Sequence, residues 1–296
     1  GDFDGDGRVD IFVANDVSEN FLFKNLGNGK FEEIAMDQGV ALSGNGDEQG
    51  SMGVDSGDYD LDGNPDIVVT NYQKQLNALY RSDGPIGFSD LATKHGLGDT
   101  CLPLVSWGTG FADFDSDGWP DLFIANGHLE DRIKEYDDSS TYLQENQIFR
   151  NRSGRFQDVS VSSGPAFSEK KSSRGAAFGD VDGDGDIDVV VNNSRGSVSL
   201  LINETKTTNS WVTLDLRGRV NRFAIGAKAA VHSGGKIYRA EVRSGGSYVS
   251  QNDLRLHFGL GTATSIDKVT VRWSSGKTSE HPGLALGRVH RLDEPN

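Results

Sequence analysis

The sequence predicts an all-β protein: a partial β-propeller built from repeated blades, followed by a small C-terminal β domain. An acidic segment occurs four times without gaps, and an apolar run of strand length follows each copy. The last third of the chain divides into short β-rich runs separated by glycine turns. We therefore place the blades in residues 1–208, the second domain in residues 209–284 and a C-terminal tail in residues 285–296.

The four repeated segments read DFDGDGRVDIFVAN, DYDLDGNPDIVVTN, DFDSDGWPDLFIAN and DVDGDGDIDVVVNN, and they begin at Asp2, Asp58, Asp113 and Asp180. Runs rich in small residues precede the last three, and NFLFKN, NALYRS, NQIFRN and a weaker SLLIN follow the four segments in order. Each unit thus predicts a strand, an acidic loop, a second strand, a link, a third strand, a turn and a fourth strand.

The strand after each acidic loop is apolar at consecutive positions: IFVA, IVVT, LFIA and VVVN. This pattern is typical of a strand covered on both faces, as in sheets that stack around a propeller axis. The third unit carries a polar insertion, residues 128–145, which we expect to be a surface loop with one helical turn.

The acidic segments share the pattern D-x-D-x-D-G-x-x-D and define loop 1 (residues 2–10), loop 2 (58–66), loop 3 (113–121) and loop 4 (180–188). Glycine at position 6 permits the tight curl that brings the acids at positions 1, 3 and 5 together. With a carbonyl at position 7 and the acid at position 9, the oxygen-only set suits Ca²⁺ better than Mg²⁺. The predicted calcium ligands, about four sites in all, are Asp2, Asp4, Asp6, Arg8, Asp10, Asp58, Asp60, Asp62, Asn64, Asp66, Asp113, Asp115, Asp117, Trp119, Asp121, Asp180, Asp182, Asp184, Asp186 and Asp188.

The alternative metal loop is the EF-hand, which carries a bidentate Glu at position 12 and is flanked by helices. Position 12 is apolar in all four loops here, and the flanks are strand-like, so the sequence excludes an EF-hand. Solvated acidic turns without an ion remain the simpler alternative, although several unpaired carboxylates at close range repel one another.

The net charge, the apolar runs and the cysteine count limit the partners and the cross-links that the sequence predicts. The formal net charge of −15 argues against nucleic acid as a partner, and no apolar run is long enough for membrane insertion. Cys101 is the single cysteine, which excludes an intrachain disulfide. Since Gly1 already lies within a motif, we expect further blades of the same protein upstream.

The repeats resemble FG-GAP/VCBS units, the calcium-loop blades of integrin α-like propellers. The runs NSWVTLDLRG, NRFAIGAKAAV, GGSYVSQNDLRLHFGLG and DKVTVRWSSG are similar to the ASPIC/UnbV domain. Together they resemble the cartilage acidic protein-like family. The resemblance implies a secreted, extracellular or periplasmic calcium-binding propeller followed by a small β domain, and it carries no catalytic residue onto this chain.

Two classes of function remain open at this point. The first is a non-catalytic binding, adhesion or structural module with an unidentified protein or glycan ligand. The second is a propeller-based carbohydrate-active enzyme, or a biosynthetic accessory protein; the densest candidate group for catalysis is in the insertion, at His128, Glu130, Asp131 and Tyr136.

Overall fold

Each acidic loop leads into a strand of a small antiparallel sheet, and four such sheets follow one another along the chain. The computed structural model describes all residues from 1 to 296. The first blade is a three-stranded sheet with a short extra strand and a one-turn helix beside it. Its elements are β1 (Ile11–Val13), β2 (Asp16–Ser18), β3 (Phe21–Gly27), β4 (Lys30–Glu33) and α1 (Ala35–Gln38).

Blades 2 and 3 are four-stranded, and blade 4 is three-stranded. Blade 2 and the segment leading into it contain β5 (Gln49–Gly50), β6 (Val54–Gly57), β7 (Asp66–Val69), β8 (Ala78–Ser82) and β9 (Phe88–Asp90). Blade 3 contains β10 (Ser106–Ala112), β11 (Asp121–Asn126), β12 (Gln144–Glu145), β13 (Gln147–Asn151) and β14 (Phe156–Asp158). Blade 4 contains β15 (Lys170–Lys171), β16 (Ser173–Gly179), β17 (Asp188–Asn193) and β18 (Ser199–Leu201).

Two short pairings join neighbouring blades: β2 with β5, and β12 with β15. Short 3-10 helices occupy the connections, and one of them lies in the insertion of blade 3, where the sequence predicted a helical turn. They are Gly84–Ile86, Asp99–Cys101, Ile133–Glu135, Ser160–Ser162 and Pro165–Ser168.

Strands β7 and β11 are buried on both faces, as predicted, but Ile11 at the start of β1 is 47% exposed, so the prediction fails in blade 1. In β7, Ile67 and Val69 pack into a cluster shared with blade 1, whereas Val68 packs into the cluster shared with blade 3. In β11, Leu122 and Ile124 face blade 2, and Phe123 faces blade 4. Three such clusters hold the four sheets face to face, which is the packing of propeller blades.

The C-terminal domain is formed by two sheets around its own core of 17 buried residues. One sheet has the order β22-β19-β25 and the other the order β21-β20-β23-β24. The strands are β19 (Ser210–Arg217), β20 (Lys228–Ser233), β21 (Lys236–Glu241), β22 (Leu256–Gly261), β23 (Lys268–Arg272), β24 (Thr278–Pro282) and β25 (Val289–Asp293).

The prediction of a separate tail over residues 285–296 was wrong. Strand β25 pairs in parallel with β19 along its whole length, and Leu292 is buried in the domain core. The C-terminal domain therefore continues almost to the end of the chain. Sequence reasoning missed this strand because its VHRLD pattern alternates too weakly to distinguish an edge strand from a polar tail.

A loop of the C-terminal domain, residues 243–253, inserts against the first strands of blades 2, 3 and 4; we call it the docking loop. Ser247 exchanges two backbone hydrogen bonds with Val54 of β6, at 2.9 and 2.7 Å. Its Oγ accepts hydrogen bonds from the backbone N–H groups of Thr109 and Ala176, in β10 and β16. One serine thus connects three blades to the second domain.

None of the helices is long and apolar enough to cross a membrane.

Gly259 in β22 lies so close to loop 3 that a substitution there tests the contact between the C-terminal domain and blade 3. A Cβ at this position would overlap Oδ2 of Asp113 and lie 2.6 Å from Cα of Ser116 in loop 3. We expect Gly259→Ala to lower the free energy of unfolding by about 1–3 kcal/mol, measured by urea denaturation. Gly196→Ala is the matched control, because no atom lies closer than 3.4 Å to the added Cβ at that position; equal losses in both variants would contradict the contact.

Candidate metal sites

Each of the four acidic loops brings three of its predicted carboxylates together. In loops 1, 2 and 4 the acids at positions 1, 3 and 5 each offer an oxygen, and these oxygens lie within 4.8 Å of one another. In loop 3 the cluster consists of Asp113, Asp115 and Asp121, at positions 1, 3 and 9. Loops 2, 3 and 4 each start where the first strand of their blade ends.

Backbone hydrogen bonds to the carboxylates hold the curl of each loop. The acid at position 3 accepts from the N–H of position 5, and the acid at position 5 accepts from the N–H of position 7, in all four loops. The position 7 residues Arg8, Asn64, Trp119 and Asp186 are therefore fixed beside the clusters through their N–H groups. Coordination by their carbonyl oxygens stays a prediction.

The glycines at position 6 have φ between 89° and 98°, as the curl requires. Position 4 lies in the left-handed region as well, although no single residue type marks it in the four repeats. Glycine occupies it in loops 1 and 4, whereas Leu61 and Ser116 take φ 59° and 55° in loops 2 and 3.

The acid at position 9 has a role that the sequence analysis missed. Both of its oxygens accept backbone hydrogen bonds: one from position 2 of the same loop, and one from the end of the third strand of the blade. In blade 2, Asp66 accepts from Tyr59 at 3.1 Å and from Ser82 at 2.8 Å. The same pair of bonds recurs at Asp10, Asp121 and Asp188. These four acids are at most 4% exposed, so each ties its loop to the blade, and its remaining lone pairs are still free for an ion.

Burial and mutual repulsion make several of these carboxylates difficult to ionise. Burial, together with the charges of Asp62 and Asp60, raises the pKa of Asp58 to about 6. Burial raises the pKa of Asp66 and of Asp121 to about 8, and it also raises the pKa of Asp113. A bound cation would favour the ionised forms and relieve the repulsion.

Two buried oxygen atoms, one in loop 1 and one in loop 2, indicate that these two loops fit a cation. Oδ1 of Asp2 and Oδ1 of Asp58 are buried and accept no hydrogen bond, although their residues are only 2% and 9% exposed. A buried acceptor without a donor is costly unless a cation or water satisfies it. The donor set is oxygen-only and flexible, which suits a hard cation such as Ca²⁺.

Basic side chains of the blades contact the acids of the first three loops. Lys24 Nζ lies 2.7 Å from Asp4 Oδ2. Arg81 contacts Asp60 through Nε at 2.6 Å and Asp62 through Nη2 at 2.9 Å, and Arg150 contacts Asp115 and Asp117. None of the carboxylates of loop 4 forms an ion pair.

All four loops also face the C-terminal domain. Lys228 Nζ lies 2.6 Å from Asp2 Oδ2, and Arg255 donates to the carbonyl oxygen of Asp180 at 3.1 Å. Gly261 N–H donates to the carbonyl oxygen of Ser116 at 2.9 Å. A cavity of about 490 Å³ lies between the two parts, and its lining includes the position 1 acids of loops 2, 3 and 4. The acids at position 1 of these three loops therefore border the space between the blades and the C-terminal domain.

The sequence matches known families over most of its length. Residues 2–69, 58–124 and 113–191 match the family described as FG-GAP-like repeat. The chain belongs to the FG-GAP-like repeat family. Residues 217–296 match the family described as ASPIC and UnbV, which confirms the resemblance drawn from the sequence and extends it to the last residue.

Relatives of the FG-GAP chain include the vertebrate protein named cartilage acidic protein 1. The identity is 28% to the protein of Mus musculus and 28% to that of Homo sapiens, covering 96% of this chain in both cases. The chain spans about two fifths of the length of these relatives, 43% and 41%.

Among solved structures, one similar chain is a lectin of Agrocybe aegerita described as recognising non-reducing terminal N-acetylglucosamine. The alignment covers 96% of this chain and 78% of the lectin, at 18% identity and a TM-score of 0.41. That level of similarity supports no conclusion about this FG-GAP chain.

The candidate catalytic group in the insertion does not form an open cluster. His128 is fully buried; its Nδ1 accepts from the N–H of Glu130 at 2.9 Å, and its Nε2 lies 3.2 Å from the hydroxyl of Tyr72. Asp131 pairs with Arg195 on the surface. These contacts give the imidazole of His128 a structural role. His257, which is half-buried in β22, has its pKa lowered to about 4 by desolvation and contacts Thr213 and Ser116.

Substitutions at positions 9 and 5 distinguish an acid that stabilises the fold without metal from an acid that acts only through a bound ion. In Asp66→Asn the amide nitrogen must face a backbone N–H, so we expect a loss of about 1–3 kcal/mol of unfolding free energy in EDTA as well as in Ca²⁺. Asp184→Asn keeps an acceptor for its one backbone donor, and we expect a change within about 0.5 kcal/mol in EDTA. Urea denaturation of both variants decides: a loss for Asp66→Asn confined to Ca²⁺ would contradict the structural role.

Proposed function

We propose that this chain is an extracellular or periplasmic calcium-binding module without catalytic activity, in which Ca²⁺ at the four loops fixes the blades against one another and against the C-terminal domain. The observation that carries the proposal is the unpartnered buried oxygen of Asp2 and of Asp58 within a loop that occurs four times. An ion bound there would satisfy these oxygens and neutralise the neighbouring acids.

The same loops support a setting outside the cytoplasm. Flexible oxygen sites of this kind bind Ca²⁺ with dissociation constants of about 0.1–1 mM in extracellular modules, where calcium is abundant. The relatives carry the words cartilage and acidic in their name, and this chain is itself acidic, with a net charge of −15. We extend the extracellular location to this chain on these two grounds.

The module's role is one of binding or structure. The docking loop joins the sheets of blades 2, 3 and 4 to the C-terminal domain. The acidic loops face the same domain. Calcium in these loops would act as a mechanical link between blade and domain. The partner of such a module is a protein or a glycan; we propose no catalytic residue.

Thermal unfolding in 2 mM Ca²⁺ and in EDTA, with Mg²⁺ as the control, tests the proposal. For a dissociation constant near 0.1 mM, each site contributes about 1.8 kcal/mol, and four sites contribute about 7 kcal/mol. We expect Tm to rise by about 10–20 °C in Ca²⁺ and much less in Mg²⁺.

The double variant Asp4→Ala with Asp182→Ala removes position 3 from loops 1 and 4, and we expect it to lose about half of the rise. An equal Tm in Ca²⁺ and EDTA for the wild type would show that the loops are solvated acidic turns.

A further inference from the structure

The blades differ at one position that the hydrogen bonds define. The residue that donates its N–H to the position 9 acid is Asn25, Ser82, Asn151 or Asn203 in blades 1 to 4. The residue immediately before it is therefore equivalent in all four blades. It is basic in three of them and apolar in the fourth: Lys24, Arg81, Arg150 and Ile202.

The three basic residues contact carboxylate oxygens that a metal ion would need. Arg81 holds Oδ2 of Asp60 and Oδ2 of Asp62, at positions 3 and 5. Lys24 holds Oδ2 of Asp4 at position 3. An ion entering these loops has to share the oxygens with a fixed positive charge, or displace it.

Loop 4 has no basic residue at the equivalent position, and it contains one more acid than the other loops. Ile202 offers no charge, and a fifth acid, Asp186, occupies position 7. Loop 4 thus combines five carboxylates with no ion pair, whereas loop 2 combines four with a guanidinium. Calcium affinity in such loops increases with the negative charge in and beside the loop that no basic side chain compensates.

We propose that Lys24, Arg81 and Arg150 are built-in competitors of Ca²⁺, and that their absence from blade 4 makes loop 4 the first and tightest site. The inference rests on the proposed function, since it assumes that the loops bind calcium. Under this proposal, the residue before the third-strand donor determines the order in which the four loops bind Ca²⁺.

In loop 1, calcium also competes with the second domain. Lys228 pairs with Oδ2 of Asp2, so this loop has cations on its position 1 and position 3 acids. Loop 1 is therefore weaker than loop 4 for two separate reasons.

Calorimetric titration of the metal-free protein with CaCl₂ tests the order. We expect one tight equivalent followed by three that bind at least about tenfold more weakly. Asp182→Asn with Asp184→Asn should abolish the tight equivalent and leave the weaker ones. If the tight equivalent persists in this variant, loop 4 is not the first site and the proposal is overturned.

Exchanging the side chains tests the mechanism. Arg81→Met keeps an apolar stem but removes the charge, and it should strengthen one weak equivalent about tenfold. Ile202→Arg should weaken the tight equivalent by a similar factor. Arg195→Met is the matched control, because it breaks the surface pair with Asp131 outside the loops and should titrate as the wild type does.

Three outcomes separate the two proposals. Weaker binding in Arg81→Met, with unchanged unfolding in EDTA, would show that Arg81 organises the loop for calcium and would overturn the competitor role. Four equal equivalents in the wild type would overturn the affinity order alone. No uptake at millimolar Ca²⁺ would overturn the proposed function as well.

Discussion

A buried aspartate that receives two backbone N–H groups, one from its own loop and one from the third strand, is the interaction on which each blade depends. It fixes the start of the second strand, the curl of the loop and the end of the third strand at one point. The same carboxylate repeats in four blades with the same two donors. Because its position is fixed, the acids at positions 1, 3 and 5 are held close together in spite of their repulsion.

Basic side chains of the blades and of the C-terminal domain offset the repulsion between the acids of the loops. Within the blades, Lys24, Arg81 and Arg150 offset it from the third strand, and across the domain boundary Lys228 offsets it at Asp2. The C-terminal domain therefore meets the loops where their charge is concentrated. Any cation bound there acts on the blade and on the domain contact together, whereas the docking loop holds the two parts through the hydrogen bonds of Ser247 and an ion pair between Arg243 and Asp55.

The sequence predicted the repeated features well because each depends on local chemistry. The second strands could be read as doubly buried from consecutive apolar residues, and Ile67, Val68 and Val69 do face two different blades. The acid clusters followed from spacing alone. The structural role of Asp66 could not be read in this way, because a carboxylate with two backbone donors and a carboxylate ligand look the same in sequence.

Non-local features were the ones that sequence reasoning missed. Strand β25 lies parallel to β19 only through tertiary pairing, and VHRLD carries no strong strand pattern. Nothing in the acidic loops indicated that they face Lys228, Arg255 and Gly261 of the second domain, since this depends on how two domains dock. The basic residue before the third-strand donor was visible in NFLFKN, NALYRS and NQIFRN, but its contact with the acids became evident only in three dimensions.

Equilibrium dialysis followed by calcium analysis tests calcium binding most directly, because it counts the bound ions and does not depend on the stability of the protein. The metal-free chain is dialysed against 2 mM Ca²⁺, a concentration chosen to exceed the expected dissociation constants of about 0.1–1 mM, and the bound metal is determined by atomic emission. We expect bound Ca²⁺ to approach four ions per chain, one for each loop. A content below one ion per chain would contradict this expectation and would leave the acidic loops as hydrogen-bonded turns.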